Sequence, residues 1–384
     1  MRIFIFKTGG SIVPYILKDV IEAFKELGFT VEVLDLSRSG DPEEKLLTPD
    51  DIIALIKRFG PDFVFGINYL GFVSYLVTLM KIHYVCWFVD SPSYWTFPKE
   101  CVNRYALLFV VDRKWIRGLK DLGFEKVYYL PGATNPKVFK KISLSKEDIA
   151  KYQCRISFVG NSTYSYYKRC CENSKSRESK TLIDEAVRLL AQNPLLEVED
   201  ILEASKSGSE ALLKDFKDMT EIRASLEYAA SAISKKEVIE EIYDLGLHLY
   251  GDKGWRELID RRVRFLGHID YHLELPKLYN ASEINLNMTK PQLKTAITPR
   301  ILDISSCGGF VLTDYRSDLT QMFDLNEEIV FYRESKDLRL LIEYYLEHPS
   351  ERKRLAKRAQ ERVLKEHTYL HRMKEILGVM KEVV

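Results

Sequence analysis

Short β-branched or aromatic runs alternate with amphipathic segments along the chain, in two successive series. This alternation is typical of βαβ units, in which parallel strands are joined by helices that cover the sheet. Residues 13–27 show the helical part of the pattern, because their apolar side chains recur every three or four positions and form one buried face. The sequence therefore predicts an α/β chain with two parallel sheets.

The first series predicts a Rossmann-like domain over residues 1–140, which ends near two turn-forming dipeptides, Pro131-Gly132 and Asn135-Pro136. The polar stretch that follows, up to about residue 152, indicates a linker. The predicted strands of this domain are 2–6, 30–34, 63–66, 83–89, 107–111 and 126–130.

The second series predicts another Rossmann-like domain over residues 150–368. A long stretch rich in Lys, Glu, Ser and Ala separates its first two strands, and helical spacing there predicts a helical insertion at about 165–240. Helices at 337–347, 350–365 and 369–383 close the chain. The predicted strands are 154–160, 247–251, 263–267, 284–287, 310–313 and 329–332.

The composition limits the functions that this fold can serve. At about 150 residues per domain, 384 residues are enough for two or three domains. The 57 basic and 56 acidic side chains give a net charge of +1, which does not indicate binding to nucleic acid. The first apolar run ends at Gly9-Gly10, before a signal-peptide core could form, and no stretch reaches the roughly 18 apolar residues of a membrane span. We therefore expect a cytoplasmic protein without an integral membrane segment.

We expect functional residues in the loops after the strands, because ligands bind beyond the carboxyl ends of parallel strands and two such domains form a cleft. The first of these loops contains Lys7, Gly9 and Gly10 and directly precedes a helix. Its glycines would let backbone N–H groups approach a phosphate, to which Lys7 would add charge. A tight strand-to-helix turn explains the same residues, and the loop matches neither GxGxxG nor a P-loop motif.

Asp90 ends a strongly apolar strand and is followed by Pro92. At the carboxyl end of a buried strand it would face the cleft, where partial desolvation would make it a general base. The alternative is an aspartate that bonds its own backbone in an Asx-turn or at an N-cap. His83, earlier in the same predicted strand, is the second candidate for the catalytic base.

In the second domain, glycine follows three successive predicted strands, at Gly160, Gly251 and Gly267. A residue without a side chain lets the backbone approach a ligand closely along the edge of the sheet, although simple turns give the same pattern. Gly160, the adjacent Asn161 and Gly251 are therefore candidates for contact with a bound nucleotide.

A short helix in the second domain has clear signals at both ends, with Thr298 as N-cap, Pro299 at the first position and Gly308 at the stop. Arg300 and Asp303 lie one turn apart near its N-terminus. A guanidinium for phosphate oxygens beside a carboxylate for ribose hydroxyls would hold a nucleoside diphosphate. A surface ion pair between residues i and i+3 is the alternative.

Segments throughout the chain carry a resemblance to a known family. They are Trp87-Phe-Val-Asp90-Ser-Pro92, Tyr129-Leu-Pro131-Gly-Ala-Thr-Asn-Pro136, Phe158-Val-Gly160, and residues 275–287, 300–309 and 367–372. Together they resemble the CgeB-like (spore-maturation-protein-type) glycosyltransferases, which are related to the glycosyl transferases of group 1. The most specific likeness runs from Tyr-Asn-Ala-Ser at residue 279 to Cys-Gly-Gly-Phe at residue 307.

The resemblance implies the GT-B fold of two facing Rossmann-like domains, to which this chain adds its helical insertion in the second. It implies transfer of a sugar from a nucleotide-diphosphate sugar to an acceptor hydroxyl, with no permanently bound cofactor. The acceptor would lie on the N-terminal domain and the donor on the C-terminal domain. The last helix, residues 369–384, would return to the N-terminal domain through its apolar face.

The resemblance also places Asn287 and Gly308 among the nucleotide-binding candidates, with Gly160, Arg300 and Asp303. In the group-1 enzymes a glutamate at the position of Asp303 holds the donor ribose. GT-B enzymes generally need no divalent metal, and this sequence has neither a DxD motif at a plausible strand end nor a His/Cys cluster.

Two further points of the likeness concern single loops. A second glutamate that is common in the group-1 enzymes is replaced here by Thr295, which leaves open whether the anomeric centre is retained or inverted. Lys7-Thr-Gly-Gly10 resembles the lysine-glycine loop of glycogen and starch synthases.

Two other functions stay open at this point. A nucleotide-sugar epimerase or phosphorylase on the same fold would change the donor without an acceptor, and a non-catalytic assembly module would bind nucleotide without turnover. The acceptor itself would be a sugar, a protein or a cell-surface group.

Overall fold

The computed structural model describes residues 1–37 and 47–383, except for the side chains of Lys206 and Ser207. The chain divides into two compact units. The first comprises Met1–Asn135 and Glu366–Val384, and the second comprises Pro136–Lys365. Within the described residues, no helix is both long enough and apolar enough to cross a membrane.

The first unit contains a six-stranded parallel sheet and the helices that connect its strands. Its elements are β1 Arg2–Lys7, α1 Val13–Glu26, β2 Thr30–Asp35, α2 Pro49–Phe59, β3 Phe63–Ile67, α3 Gly71–Leu79, β4 Tyr84–Phe88, β5 Ala106–Val110, α4 Lys114–Asp121 and β6 Lys126–Tyr129. The strand order is β2-β1-β3-β4-β5-β6. Strands β3, β4 and β5 are buried on both faces, which explains their almost continuous apolar sequences.

The second unit contains another six-stranded parallel sheet. Its elements are α5 Lys146–Tyr152, β7 Cys154–Val159, α6 Tyr164–Asn173, α7 Arg177–Gln192, α8 Val198–Ala204, α9 Lys206–Asp215, α10 Met219–Ile242, β8 Leu247–Tyr250, α11 Trp255–Leu258, β9 Arg264–Phe265, α12 Leu275–Ala281, β10 Ser282–Asn287, α13 Pro299–Ser306, β11 Val311–Asp314, α14 Leu319–Met322, β12 Val330–Tyr332, α15 Ser335–Glu347 and α16 Pro349–Glu366. The strand order is β12-β11-β10-β7-β8-β9, and it reverses between β7 and β10. The position of this reversal is the topological switch point of the sheet.

All twelve predicted strands are present, with ends that differ from the predicted ones by at most two residues. The strand predicted at 263–267 is shortened most, because β9 comprises only Arg264–Phe265. It lies at the edge of its sheet and pairs with β8 alone, over two residues. The alternation of the sequence thus predicted the α/β class and both sheets correctly.

The polar stretch before β7 is not the linker that its composition predicted. Ser145 forms a capping box that starts α5, and Lys151 and Tyr152 both donate hydrogen bonds to Glu274 next to α12. The hydrogen bonds from these two side chains lower the pKa of Glu274 to about 2. They attach α5 to the second unit, so that the first unit ends earlier than expected, at Asn135.

Helices α6 to α10 form the segment inserted between β7 and β8. They have a hydrophobic core of their own, in which Leu182, Leu190, Val198, Leu212 and Leu226 are buried. A separate core explains why this long segment is helical and ordered rather than a loop.

The last helix, α17 Tyr369–Val383, belongs to the first unit and packs against α1. Its apolar face, with Tyr369, Met373 and Ile376, is buried, and the Tyr369 ring lies 6.2 Å from that of Trp87. The segment before α17 is joined to the end of the first sheet domain by a parallel bridge between Thr134 and Thr368.

Arg372 of α17 stabilises this junction, and its removal should destabilise the protein strongly. The side chain is 2% exposed, and its Nε donates to Pro131 O at 2.9 Å and to Gly132 O at 3.1 Å, while Nη1 donates to Glu375. Arg372→Met would leave these buried acceptors without a donor, so we expect a loss of about 3 to 5 kcal/mol in the free energy of unfolding. Urea denaturation measures it.

Lys374→Met is the matched control for this prediction, because Lys374 is an exposed cation on the same helix. Its effect should stay within about 0.5 kcal/mol. Equal unfolding midpoints for wild type and Arg372→Met would show that the buried arginine does not stabilise the junction.

Candidate functional site

Two loops lie side by side at the switch point of the second unit. One follows β7 and begins with Gly160 and Asn161, and the other follows β10 and runs to the start of α13. The connections of β7 and β10 leave the sheet in opposite directions, so a crevice opens between the loops at the carboxyl ends of these strands. This crevice is the usual place for a ligand in an open parallel sheet.

Gly160 lies against the arginine that the sequence singled out. A Cβ atom at Gly160 would lie 3.0 Å from Cζ of Phe158 and 3.8 Å from Nη2 of Arg300. The backbone of Gly160 is also fixed, because its N–H donates to Tyr250 O at 3.0 Å and its carbonyl accepts from Trp255 Nε1 at 2.7 Å. The structure therefore brings the predicted residues Gly160 and Arg300 together.

Gly251 has a different role from the predicted one. A Cβ atom there would overlap Gly160 O and would lie 2.6 Å from Trp255 Nε1. The close approach that excludes a side chain at Gly251 is thus made by the protein itself. A contact of Gly251 with nucleotide stays a prediction.

Asn287 is buried and positions Arg300. Its Oδ1 accepts from Arg300 Nη1 at 2.9 Å and from Thr298 Oγ1 at 2.7 Å, and its Nδ2 donates to Thr313 Oγ1 at 2.9 Å. The side chain is 0% exposed, so the predicted contact of Asn287 with nucleotide is replaced by an indirect role. The sequence predicted that Thr298 caps α13. Its side chain does not do so, because its hydroxyl donates to Asn287 instead.

Arg300 is half-buried at the N-terminus of α13, with its guanidinium carbon 6.0 Å from the centre of the Phe158 ring. Within the described residues no carboxylate forms an ion pair with it, and its Nη1 donates a hydrogen bond to the neutral amide of Asn287. A half-buried cation that no carboxylate pairs with binds anions well, because little solvent must be displaced.

Asp303, one turn further along α13, is 1% exposed. It is therefore not part of a surface ion pair, which was the alternative prediction. Its Oδ2 accepts a hydrogen bond from the hydroxyl of Tyr271 at 2.6 Å. A ribose that binds to this carboxylate must use its other lone pairs or take the place of the Tyr271 hydroxyl.

Gly308 does not lie at this site. Its φ of 72° is in the left-handed region, and it stops α13 at the end opposite to Arg300. A Cβ there would meet the side chain of Gln360, at 3.3 Å. The eight residues of α13, which span about 12 Å along the helix axis, separate Gly308 from the Arg300 end, and binding of nucleotide by Gly308 stays a prediction.

The loop after β7 presents Asn161 to solvent, and this side chain forms no hydrogen bond with the described residues. The next residue, Ser162, donates to the carboxylate of Asp252 from both its backbone N–H, at 3.2 Å, and its Oγ, at 2.6 Å. The hydrogen bonds to Asp252 therefore fix the loop, while the side chain of Asn161 stays available to a ligand.

One side chain at this site was not predicted. Lys235 of α10 is 4% exposed, and its Nζ donates to Asn161 O at 2.9 Å. Burial, followed by the nearby charges of Lys290 and Arg300, lowers the pKa of Lys235 well below its usual value. The sequence contained a signal for this burial, because Lys235 lies four residues before the buried Ile239 on the same helical face.

Asp90 in the first unit follows β4, as predicted, and is held by Asn68 in the loop after β3. Asn68 Nδ2 donates to Asp90 Oδ2 at 2.9 Å, and Asn68 Oδ1 accepts from the backbone N–H groups of Val89 and Asp90. Within the described residues, Oδ1 of Asp90 accepts no hydrogen bond. The predicted alternative, a carboxylate that caps its own turn, is thus not what the structure shows.

His83 lies just before β4, at the end of the strand opposite to Asp90. The whole of β4, five residues that span about 16 Å, lies between them. Burial, followed by the charge of Lys126, lowers the pKa of His83. The structure does not bring the two candidate bases together, and His83 does not lie at the carboxyl edge where ligands bind.

Lys7 forms an ion pair with Asp35 at the ends of β1 and β2, with 2.5 Å between Nζ and Oδ2. Burial acts to raise the pKa of Asp35, but hydrogen bonds from Lys7 and Ser37 outweigh it and lower the pKa. Gly10 has a φ of 132°, which favours glycine, whereas a Cβ at Gly9 would make only an ordinary contact. These features agree with a tight turn, and phosphate binding by Lys7, Gly9 and Gly10 stays a prediction.

A family model matches part of this chain. Residues 233–378 match the family described as glycosyl transferase-like, a range that includes Arg300 and Asp303 but not Gly160. A search of curated proteins finds no match.

Several solved structures share the fold over the full length of the chain. A glycosyltransferase from Rickettsia africae matches with a TM-score of 0.59 and 12% identity, over 100% of this chain and 98% of its own. Sucrose-phosphate synthase from Thermosynechococcus elongatus matches with a TM-score of 0.58 and 13% identity, over 100% and 99%. HepE from Anabaena, in complex with UDP, matches with a TM-score of 0.56 and 14% identity, over 100% of both chains. Together with the two parallel sheets, these likenesses show that the protein has the GT-B fold.

Proposed function

We propose that this protein is a glycosyltransferase that moves a sugar from a nucleotide-diphosphate sugar to an acceptor hydroxyl. The observation that carries the proposal is the half-buried Arg300 beside Gly160 at the switch point, where no described carboxylate pairs with the guanidinium. The match of residues 233–378 to a glycosyl transferase-like family supports the reaction type. The UDP bound by HepE supports the class of donor.

The proposed reaction breaks the bond between the anomeric carbon of the sugar and an oxygen of the diphosphate, which leaves with the electron pair. Arg300 would neutralise the negative charge that develops on this leaving group. Its guanidinium is already oriented by the buried Asn287, so little reorganisation is needed at the moment of reaction.

The acceptor hydroxyl forms the new bond to the anomeric carbon and gives up its proton. We assign this proton to Asp90, whose Oδ1 is not engaged by the described residues. Asn68 fixes the other carboxylate oxygen and so holds the base in one orientation.

Several finer features belong to the same proposal. We propose transfer of a hexose, membership of the CgeB-like group, and catalysis without a bound metal or a permanent cofactor. Within residues 1–37 and 47–383, no group of three or more His, Cys, Asp and Glu side chains is arranged to hold a metal ion. Arg300 would take over the neutralising role that a divalent ion has in other transferases.

The role of Asp303 in this proposal is to accept hydrogen bonds from the donor ribose. Asp303→Ala should therefore weaken nucleoside diphosphate and free nucleoside equally, by about 1 to 3 kcal/mol, because both contain the ribose. Tyr271→Phe removes the hydroxyl that now bonds the carboxylate and should leave donor affinity within about threefold. Isothermal titration calorimetry measures both.

The two variants separate binding from structural support. If Asp303 only anchors Tyr271, both substitutions break the same bond and should lower the melting temperature alike, without a selective loss of affinity. That result would remove Asp303 from the donor site.

A thermal-shift panel of UDP, GDP, ADP and TDP and their sugars tests the proposed function first. A ligand at 100 times its Kd should stabilise the protein by about 2.7 kcal/mol.

The best donor is then incubated with and without candidate acceptors. Sugar transfer that requires an acceptor supports the proposal, whereas isomerised or phosphorolysed donor indicates an epimerase or phosphorylase. Binding without any turnover indicates an assembly module.

A further inference from the structure

We propose that the helical insertion forms part of the donor site, and that Lys235 of α10 binds the donor diphosphate together with Arg300. This inference rests on the function proposed above. It gives a role to helices α6 to α10, which have their own core and are not needed to complete the sheet.

Helix α10 is attached at two points to the loop after β7. Nζ of Lys235 donates to Asn161 O at 2.9 Å. Two residues further along the loop, the hydroxyl of Thr163 donates to the backbone oxygen of Tyr228 in α10 at 2.9 Å. The loop that borders one side of the crevice is therefore held by the insertion.

The insertion also contacts the loop after β10, on the other side of the crevice. Lys290 lies over the Tyr228 ring, 5.2 Å from its centre. Lys294, which is 5% exposed, donates to Leu196 O at 2.7 Å and lies 3.5 Å from the carboxylate of Glu227. Helix α10 thus contacts both loops of the switch point, and Lys235 is near enough to Lys290 and Arg300 for their charges to act on it.

The charges at this position indicate an anionic ligand. Lys235 and Arg300 form no ion pair with a carboxylate in the part of the chain that the structure describes. The acid that influences Lys235, Asp252, is already hydrogen-bonded to Ser162. Lys294 differs in this respect, because Glu227 and Glu197 lie within ion-pair distance of it.

A buried amine with cationic neighbours is stable only when it loses its proton or gains an anion. Burial together with Lys290 and Arg300 lowers the pKa of Lys235, which favours the neutral amine before a ligand binds. One of the donors of its ammonium group is used by Asn161 O, and the others can reach phosphate oxygens. A diphosphate would therefore bind two cations at once and would draw a proton onto Lys235.

Lys235→Met tests the inference, because methionine has a similar length and is compatible with a buried helical face. We expect it to weaken binding of UDP at least tenfold and to leave binding of uridine within twofold, as measured by calorimetry. Lys236→Met is the matched control. It removes the same charge from the adjacent, half-exposed position of the same helix and should change neither affinity.

Proton uptake gives a second measurement that needs no variant. The heat of UDP binding to the wild type, measured over a series of pH values in buffers of different ionisation enthalpy, should show uptake of a proton, and binding should weaken as the pH rises. Lys290, Arg300 and Asp252 are the charged groups that face Lys235. Lys235→Met should abolish the uptake while Lys236→Met retains it.

The outcomes are distinct. If no nucleoside diphosphate in the panel stabilises the wild type, the proposed function itself fails. If the wild type binds UDP but takes up no proton, and Lys235→Met binds UDP equally tightly, the inference about the insertion is overturned and the function stands. Equal weakening of UDP and uridine, with a lower melting temperature, would show that Lys235 only supports the loop of Asn161, which also overturns it.

Discussion

Asp90→Asn should lower turnover about 10²- to 10⁴-fold while donor affinity stays nearly constant, because the amide keeps the shape of the side chain but cannot accept a proton. Its carbonyl oxygen can still accept the bond from Asn68 that now reaches Asp90 Oδ2, so the loop should be preserved. Turnover, donor Kd and melting temperature are measured on the same variant.

Asp112→Asn is the matched control for the base. Asp112 follows the neighbouring strand β5, and its Oδ1 accepts from the backbone N–H of Lys114, as in an Asx-turn. The same substitution there should leave turnover within a few-fold. Full activity in Asp90→Asn would exclude Asp90 as the base, and a joint fall in activity and melting temperature would show that its carboxylate mainly holds the loop.

Arg300→Ala should weaken the binding of UDP about 10- to 100-fold and have little effect on uridine, because the contact proposed for the guanidinium is with the diphosphate and not with the nucleoside. Turnover should fall as well, since the charge of the leaving group loses its counter-ion. Calorimetry with both ligands measures the selectivity. Arg300→Lys should restore only part of the affinity, because an ammonium lacks the planar pair of donors.

Lys253→Ala controls for the loss of one positive charge from the second unit. Lys253 is exposed in the turn after β8, and its removal should leave UDP affinity unchanged. Equal affinity of wild type and Arg300→Ala for UDP would contradict the donor site proposed at the switch point.

The predictions for Asp90 and for Arg300 differ in how much of each could be derived from the sequence. The position of Asp90 at the end of a buried strand followed from the apolar run before it, but its partner Asn68 lies 22 residues earlier and was not predicted. Arg300 was predicted from helix signals, yet the sequence contained no indication that the neutral Asn287 orients it, from 13 residues away.

Strands, helices and their order along the chain follow from local periodicity, since the burial of one face imposes a repeat of about two or 3.6 residues on any sequence that forms these elements. For this reason the α/β class, all twelve strands and the N-terminus of α13 could be predicted without coordinates. Glycine is a less specific signal, because packing at Gly251 and helix termination at Gly308 each require a glycine whether or not a ligand binds there.

The contacts that define the site depend instead on which distant residues the fold brings together. Tyr271 and Asp303 are 32 residues apart, and Lys235 and Asn161 are 74 residues apart on an inserted helix and a strand-end loop. Periodicity identifies a buried face but not what covers it. Whether a buried polar side chain on that face is satisfied by the protein, as Asn287 is, or has capacity for a ligand, as Lys235 has, follows only from the packing of the surrounding elements.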